Sequence, residues 1–390
     1  TALTLFGLFG SFYAYFGYPL VLRFLLSQGK RVTPPGATAG LPDGVSIVIA
    51  ARNEERVIRE KIRKTLELPI PAQLTRGVEI IVASDCSDDQ TDAIVREFEG
   101  QGVRLVRSSE RKGKEFAQAM AADRAKHDIV LFTDAKVSLD ADLLEKLLPY
   151  FADPSVGAVS SVDRVEQVEG GGSGEGMYVR YEMWLRSLET AFDSVVGLSG
   201  SCFAVRRRLC LTMRSDIPSD FSLLLEARAR GLRGVSAEDV ICRYRAVKTE
   251  EEEFERKVRT VLRGMTALFV CREVMDPRAY GTFAWQVISH KLMRWLVPLF
   301  LVVSTLGSIA LADESLFFLL VANGSLLFFG IAFLAYIKPS LRERSWAKVP
   351  LFFSVVNLAI AVAWIRYLSG RRATTWQPSA KMDGAISPIR

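Results

Sequence analysis

The order of apolar and polar positions divides the chain into a charge-poor start, a mixed middle and a charge-poor end. Four windows contain no charged residue: Thr1–Leu22, Leu296–Ala312, Ser315–Ile337 and Val349–Ile365. A helix that spans a membrane needs roughly 20 apolar residues, with a range of about 17–25. The first and third windows meet this length comfortably, and the second and fourth lie at its lower limit. The pattern therefore predicts up to four membrane helices around a polar middle region.

The middle region begins after the Pro/Gly-rich segment Thr33–Gly44 and alternates between short apolar runs and amphipathic stretches. The apolar runs are typical of strands at Val45–Ala50, Val78–Ala83, Val103–Val106 and Asp128–Thr133. The amphipathic stretches predict helices at Glu54–Leu68, Thr91–Glu99 and Lys114–Ala125. This alternation predicts an α/β domain, in which helices cover both faces of a mostly parallel sheet. Ligands of such sheets bind beyond the carboxyl ends of the strands.

These patterns together predict six regions along the chain. They are a membrane helix (1–26), a linker (27–44), a cytosolic domain (45–277), an interfacial amphipathic helix (278–294), about three membrane helices (295–368) and a C-terminal tail (369–390). The interfacial helix rests on the near-helical spacing of Trp285, Ile288, Leu292 and Trp295, with His290, Lys291 and Arg294 beside them. A core helix of the soluble domain is the alternative for this segment.

Basic residues set the predicted orientation in the membrane. Arg23, Lys30 and Arg31 follow the first window, so the positive-inside rule places the middle domain in the cytoplasm, at the plasma membrane. The last window is different because basic residues flank it on both sides. It is therefore predicted to be re-entrant or to lie in the interface.

Composition supports a soluble domain joined to membrane segments. Hydrophobic residues make up 49% of the chain, whose mean hydropathy is +0.18, yet 24% of the residues are charged. The 5 cysteines lack CxxC spacing and histidine occurs only 2 times, which argues against structural zinc and a disulfide framework. A net charge of +6 suits an anionic membrane surface or substrate. No basic tract with interleaved aromatics indicates nucleic acid.

Polar residues follow three of the predicted strands directly. Asn53 and Glu54 come after the first, Asp85 and Asp89 after the second, and Asp134 after the fourth. Carboxylates at strand ends accept hydrogen bonds from base N–H groups and ribose hydroxyls, whereas the competing interpretation is that they cap turns and helices. The glycine tract Glu169–Gly176 lacks the G-x-G-x-x-G order of a phosphate loop and predicts a flexible loop instead.

Several motifs then occur in a fixed order: "SIVIAARNEE", "ASDCSDDQTD", "RKGKEFAQAM", "FTDAK", "GLSGSCFAVRR", "PSDF" and "RKVRT". This series resembles a family 2 glycosyltransferase of the membrane-integrated branch related to cellulose, chitin and hyaluronan synthases. The resemblance covers roughly Val45 to Thr260. It implies a GT-A type domain, with a Rossmann-like sheet, that uses a UDP-sugar.

The resemblance also implies roles for residues at the donor side. Uridine would be held by Ala51, Asn53, Glu54 and Asp85. Lys114 would face the phosphates, and Asp134 would bind the Mg²⁺ or Mn²⁺ ion that bridges the diphosphate. Lys136 stands in place of that motif's second acid, where its ammonium group would bind a phosphate oxygen or point away from the site.

On the acceptor side, Asp220 matches the base that takes the proton of the attacking hydroxyl. Ser219 precedes it where relatives often have an acid, and the alternative is a helix start with Ser219 as N-cap. Ser199, Gly200 and Ser201 would contact the acceptor. The last motif keeps Arg259 for the diphosphate, with Arg256 also on the donor side. Thr260 replaces the tryptophan that stacks on the acceptor sugar, so processive synthesis is in doubt, and a charge-paired helix face is the alternative.

The leading functional prediction is a membrane-bound inverting glycosyltransferase that adds hexose from a UDP-sugar to a growing polysaccharide. The alternatives are a single-transfer enzyme acting on a lipid-linked acceptor, a degenerate partner subunit, and a transporter with a nucleotide-sugar sensing domain. The absence of charged residues from the apolar windows disfavours transport. The sequence encodes neither the donor sugar and linkage nor the oligomeric state.

Overall fold

The computed structural model describes residues 1–32, 40–166, 174–245, 250–342 and 344–371. Three predicted features lie wholly or partly outside these residues: the centre of the linker, most of the glycine tract, and the C-terminal tail with Trp376.

One mixed sheet of eight strands forms the centre of the α/β domain. The strands are β1 (Gly44–Ala51), β2 (Gly77–Ser84), β3 (Val103–Arg107), β4 (Ile129–Asp134), β5 (Ser138–Leu139), β6 (Val156–Glu166), β7 (Cys202–Arg206) and β8 (Arg233–Arg245). Their order is β3-β2-β1-β4-β7-β6-β8-β5. Strands β3, β2, β1 and β4 are parallel, as predicted, whereas β7 is antiparallel to both β4 and β6.

Fifteen α-helices occur in the described residues. They are α1 (Ala2–Phe12), α2 (Tyr18–Ser27), α3 (Ile58–Leu66), α4 (Thr91–Arg96), α5 (Lys114–Asp123), α6 (Leu143–Leu147), α7 (Gly174–Phe192), α8 (Ser219–Ala229), α9 (Glu250–Val270), α10 (Pro277–Tyr280), α11 (Thr282–Val287), α12 (Met293–Ala310), α13 (Leu316–Ile337), α14 (Pro339–Arg342) and α15 (Ser345–Leu368). Single π-helical turns, Tyr13–Gly17 and Ile288–Leu292, join α1 to α2 and α11 to α12.

Apolar side chains alternate along β1 between the two faces of the sheet. Ile47 and Ile49 pack on one face with Ile58 and Ile62 of α3, whereas Val48 packs on the other, in the core that α5, α8 and α9 cover. Successive side chains of a strand point to opposite faces, so a fully buried strand needs a helical layer on each side. This is the layered α/β arrangement that the sequence predicts.

Four apolar helices are long enough to cross a membrane: Ala2–Ser27, Thr282–Ala310, Leu316–Ile337 and Ser345–Leu368. The first two pack closely, because Gly7 and Gly10 face Phe300 and Thr4 faces Gly307. Small residues at such contacts allow helix backbones to approach each other in a bilayer. Residues that come later in α1 contact residues that come earlier in α12, so the two helices run antiparallel.

The last of these helices, α15, also packs against the α/β domain. Its residues Ala359, Ile360 and Ala363 belong to the same core as Val258 and Leu262 of α9. At its C-terminal end, Trp364 Nε1 donates to the backbone oxygen of Trp295, close to the start of α12, at 2.8 Å. The end of α15 therefore lies on the side of the helix bundle that faces the α/β domain, in agreement with the basic residues that follow it.

The segment for which an interfacial helix is predicted forms α10 and the first part of the continuous helix Thr282–Ala310. Two of its basic residues, His290 and Arg294, are buried and do not face outward. His290 lies between Glu182 and Glu189 of α7, with N–O distances of 3.0 and 2.7 Å, and Arg294 Nη1 donates to Glu182 Oε2 at 2.7 Å. We call Glu182, Glu189, His290 and Arg294 the membrane-proximal cluster. The in-plane position of this segment stays a prediction.

Candidate active site

The carboxyl ends of β1, β2 and β4 bring three polar loops to one edge of the sheet. These strands are parallel neighbours in register, with Ala51 opposite Ser84 and Ala50 opposite Asp134. The residues that follow each strand therefore meet, although they are far apart in the sequence. The predicted donor residues Asn53, Glu54 and Asp85 all lie at this edge.

Asp85 is buried, and its two carboxylate oxygens differ in their hydrogen bonds to the described residues. Its Oδ1 accepts hydrogen bonds from the backbone N–H groups of Lys112 and Gly113 at 2.9 and 3.0 Å. Its Oδ2 is buried, and no described residue pairs with it. A buried carboxylate oxygen without a partner is costly. The position therefore suits a ligand that donates a hydrogen bond.

The first two loops brace one another around Asp85. Asn53 has a φ of 52°, and its Oδ1 accepts the backbone N–H of Asp88 at 3.0 Å. The backbone oxygen of Ala51 accepts the N–H of Asp85 at 3.0 Å. Arg52, which the sequence reasoning missed, donates from Nη1 to the backbone oxygen of Asp85 at 2.9 Å. In this structure Ala51 and Asn53 therefore hold the loops in shape.

Asp89 has the capping role that the sequence left open. Its Oδ1 accepts the backbone N–H of Thr91, the first residue of α4, at 2.9 Å, and its Oδ2 accepts that of Glu55 at 3.2 Å. Both carboxylate oxygens thus bind backbone groups. This arrangement favours the structural interpretation of Asp89 over donor binding.

Glu54 and Lys136 form a partly buried ion pair, in which Lys136 Nζ lies 3.3 Å from Glu54 Oε1. Burial raises the pKa of Glu54 to about 6, although Lys136 opposes this shift. The side chain of Lys136 is 33% exposed. Lys136 therefore lies at the site and does not extend away into solvent.

Lys114 connects the donor and acceptor segments. Its Nζ lies 2.5 Å from Asp134 Oδ1 and donates to the backbone oxygen of Gly200 at 3.1 Å. Lys114 begins α5 and is almost fully buried. Lys114 is therefore not a solvated lysine at a helix start, which was the alternative interpretation.

Asp220 lies on the acceptor side, in the first turn of α8. A Cβ atom added to Gly200 would lie 3.3 Å from Asp220 Oδ2, so only glycine leaves this carboxylate undisturbed. Ser219 does not cap the helix, because its hydroxyl donates to Gln118 Oε1 at 2.7 Å and Pro218 occupies the N-cap position. Asp134, Lys114, Gly200 and Asp220 thus lie next to one another in one row, from the donor side to the acceptor side.

Ser199 and Ser201 are held by a carboxylate that the sequence reasoning missed. Both hydroxyls donate to Asp163 Oδ1, at 2.6 and 2.5 Å, and burial raises the pKa of Asp163. Asp163 lies near the end of β6, and the irregular pattern of that strand gives no signal by which the sequence could have identified it. The acceptor segment is therefore ordered by an acid of its own.

Lys61 is a third missed residue, since its place on a polar-looking helix predicts solvent exposure. Its Nζ donates to the backbone oxygen of Val137 at 2.7 Å and to Thr133 Oγ1 at 3.1 Å. Burial lowers the pKa of Lys61 to about 8. Lys61 thus supports the turn that carries Asp134 and Lys136.

The last motif lies on α9, away from the strand ends. Arg256 pairs with Glu253 at 2.7 Å, and the exposed Thr260 donates from its hydroxyl to the backbone oxygen of Arg256 at 2.9 Å. These contacts favour the charge-paired helix face. Further along α9, Arg263 pairs with Glu115, next to Lys114. Donor binding by Arg256 and Arg259 and acceptor binding by Thr260 stay predictions.

The side chains around Asp134 do not fit a divalent ion held by the protein. Within the described ranges, no group of three or more His, Cys, Asp or Glu side chains is arranged to hold a metal ion. The ammonium group of Lys114 lies against Asp134 Oδ1, and Lys136 replaces the second acid. Mg²⁺ requires near-octahedral oxygen coordination, which one lysine-paired carboxylate supplies poorly.

Comparison with known proteins agrees with this arrangement. The family model for glycosyl transferase family 2 matches residues 46–212. A beta-monoglucosyldiacylglycerol synthase from Synechocystis sp. is 31% identical over 132 residues, which are 33% of this chain and 27% of that protein. Glycosyltransferase AglD from Haloferax volcanii is 34% identical over 120 residues, or 30% of this chain and 19% of that protein. The chain thus aligns with less than a third of either relative.

Among solved structures, a mannosyltransferase from Pyrobaculum calidifontis in complex with GDP-Man and Mn²⁺ has the same fold. The TM-score is 0.73 at 23% identity, over 95% of this chain and 99% of that one. The likeness therefore includes the apolar helices as well as the GT-A type domain. Residues 46–212 are thus similar to family 2 glycosyltransferases, as the ordered motifs predicted, and candidate membrane helices flank them.

Proposed function

We propose that the protein is a membrane-bound, inverting glycosyltransferase that moves a hexose from a UDP-sugar to a lipid or lipid-linked acceptor. The row of neighbouring residues from Asp134 through Lys114 and Gly200 to Asp220 carries this proposal. This row links the donor end of the site, where a diphosphate would lie, to the Asp220 carboxylate beside the acceptor segment. A single displacement needs these two groups on opposite sides of one sugar.

In this reaction the acceptor hydroxyl lies beside Asp220 and attacks the anomeric carbon of the donor. The new carbon–oxygen bond forms as the bond to the diphosphate breaks, so the sugar inverts. The hydroxyl proton passes to Asp220, and the nucleoside diphosphate leaves with the electron pair. Asp85 Oδ2, buried and unpaired among the described residues, would accept the N–H of the uracil ring.

The choice of acceptor rests on the helices. A third or less of the most apolar window of each membrane helix is buried within the protein. These helices thus present most of their surface outward, which suits contact with lipid better than the lining of a polymer channel. The name of the Synechocystis relative also refers to a glycosylated lipid. Polysaccharide synthesis, the leading prediction from sequence, becomes the second candidate.

The proposed location is the cytoplasmic face of the plasma membrane. Arg23, Lys30 and Arg31 follow the first apolar helix, and Arg366 and Arg371 lie at the end of the last one. Both ends lie on the side of the catalytic domain, where UDP-sugars are made. This orientation follows from the positive-inside rule.

The test is a transfer assay with the full chain in lipid nanodiscs, using labelled UDP-sugars and GDP-sugars. Diacylglycerol and polyprenyl phosphate serve as acceptors, and label is measured in the organic phase and in high-mass polymer. Label in lipid is expected with one donor, and NMR of the product is expected to show an inverted anomeric centre. Label in polymer alone would reject the lipid acceptor.

Asp220→Asn tests the base within that assay. Loss of general base catalysis is expected to lower the rate by about a hundredfold to ten-thousandfold. Asp216→Asn is the matched control, because Asp216 lies in the same loop but pairs with Arg214 at the exposed surface. Equal rates for the Asp220 variant and the control would exclude Asp220 as the base.

A further inference from the structure

Four charged side chains meet where the diphosphate of a donor would lie. Glu54 and Asp134 contribute carboxylates, and Lys114 and Lys136 contribute ammonium groups. We call these residues the donor quartet. Each ammonium group is held by one carboxylate, at 2.5 Å for Lys114 with Asp134 and 3.3 Å for Lys136 with Glu54. Two positive charges are therefore already fixed at the position that a bridging cation would occupy.

The quartet is fixed by further contacts from outside. The backbone N–H of Glu54 donates to Thr91 Oγ1 at 2.8 Å, and Lys114 also donates to the backbone oxygen of Gly200 at 3.1 Å. Lys61 supports the turn between Asp134 and Lys136 from below. Charged donors held in place before the substrate arrives stabilise developing charge without reorganisation.

These contacts disfavour a divalent ion at the same place. Such an ion would have to displace the Lys114 ammonium group from Asp134, and it would lie near a second ammonium group on Lys136. Like charges a few ångströms apart repel strongly in a partly buried site. The quartet can instead bind phosphate oxygens directly, because lysine is a strong point-charge ligand for phosphate.

We propose that Lys114 and Lys136 bind the donor's diphosphate and neutralise its charge as it leaves, with no divalent ion held by the protein. Asp134 and Glu54 then serve to position the two lysines. In the transfer step, the bond between the anomeric carbon and the diphosphate oxygen breaks, and the two ammonium groups stabilise the negative charge on that oxygen. Both lysines keep their protons, and the acceptor's proton goes to Asp220. This inference rests on the proposed nucleotide-sugar function.

The experiment measures the affinity of UDP and of GDP for the full chain in nanodiscs by calorimetry, in EDTA and in Mn²⁺. The proposal predicts that one nucleotide binds with similar affinity in both. Lys136→Met is expected to weaken that binding in EDTA by about tenfold or more, since a charge-assisted hydrogen bond is lost. Lys146→Met is the matched control, because Lys146 pairs with Asp142 on the exposed surface.

Lys136→Asp provides a readout that a merely structural lysine would not change. The second acid of the motif is then present, so the variant is expected to bind Mn²⁺, seen in its EPR spectrum, and to bind nucleotide only with the metal. Size-exclusion chromatography checks that each variant is folded. If the Lys136→Asp variant does not fold, the nucleotide affinity of the Lys136→Met variant in EDTA tests the proposal.

The outcomes separate the two proposals. Nucleotide binding that requires Mn²⁺ in the unmodified protein overturns the lysine proposal and leaves the glycosyltransferase function in place. Full affinity of Lys136→Met in EDTA also overturns it. Failure of both UDP and GDP to bind under either condition rejects the proposed function itself, and the inference with it.

Discussion

The donor quartet and the membrane-proximal cluster contain the same kinds of charge in two different settings. Each has two carboxylates, with two lysines in the first and His290 and Arg294 in the second. In the quartet, the side chains of Asp134 and Lys136 are 30% and 33% exposed, whereas their partners Lys114 and Glu54 are only 10% and 6% exposed, so each pair has one accessible member. In the cluster, those of Glu189 and His290 are 0% and 3% exposed. The two sites therefore differ in the exposure of their charged side chains and not in the kinds of side chain they contain. A ligand can reach the exposed charges, whereas only other protein groups can neutralise the buried ones.

This difference has an energetic consequence. A buried pair becomes strongly destabilising when one partner is removed, because the other charge stays buried without compensation. A partly exposed pair tolerates the same loss better, because water or a ligand replaces the partner. Substitutions in the cluster should therefore lower the stability of the protein, whereas substitutions in the quartet should weaken nucleotide binding.

The largest effect on stability is expected for Arg294→Met in the membrane-proximal cluster. Glu182 would lose the guanidinium group that lies 2.7 Å from it and keep His290 at 3.0 Å, so the cost is at most about 3–5 kcal/mol in the free energy of unfolding. Denaturant unfolding in mild detergent measures this change. Nucleotide affinity of the folded fraction should not change.

Glu255→Gln is the control for that variant. It breaks a pair with Arg366 that also joins a membrane helix to the catalytic domain, but at an exposed position. The expected change in the free energy of unfolding is about 1 kcal/mol or less. Equal destabilisation by the two variants would contradict the distinction between buried and exposed pairs.

A smaller effect, on binding alone, is expected for Asp85→Asn. The amide oxygen can still accept from the backbone N–H groups of Lys112 and Gly113, so the loop keeps its shape. The amide nitrogen then replaces the open oxygen and cannot accept a hydrogen bond from the base. Calorimetry is expected to show nucleotide affinity weakened by about 1.5–3 kcal/mol. Unchanged affinity would remove Asp85 from the donor site.

The smallest effect concerns the dependence of stability on pH. Burial raises the pKa of Glu54 from its ordinary value of 4.5 to about 6, so the folded state binds this proton more tightly than the unfolded state. The resulting stabilisation is fully present below about pH 4.5 and is lost as pH rises through about 6, with an upper limit of about 2 kcal/mol. Melting temperatures between these pH values measure it. The Glu54→Gln variant should lack this component, and an identical pH profile for both proteins would count against it.

The sequence predicts the first half of the fold better than the second. Strands β1 to β4 are short apolar runs separated by amphipathic helices, a pattern that leaves little choice of topology. Strands β6 and β8 contain Asp163, Glu238, Asp239 and several arginines, and they pair through a bulge, so periodicity does not reveal them. Antiparallel β7 pairs with β4 across a long separation in sequence, which local patterns do not encode.

The same limit applies to the sites. Asp85, Lys114, Asp134 and Lys136 follow strand ends or begin a helix, and their positions were predictable for that reason. His290 and Arg294 were expected to form the polar face of an interfacial helix. Their partners Glu182 and Glu189 lie about a hundred residues earlier, so only the tertiary fold brings them together.

Helix α9 has a consequence for any measurement on this protein. At one end Glu255 pairs with Arg366 of the apolar helix α15, and further along Arg263 pairs with the nearly buried Glu115, adjacent to Lys114. A shift of α15 is therefore expected to move Lys114, the lysine that we propose binds the donor's diphosphate. Bilayer thickness and lateral pressure thereby become variables of the reaction, and nucleotide affinity is expected to differ between a detergent micelle and a nanodisc. The surrounding lipid is therefore expected to influence nucleotide binding at the active site.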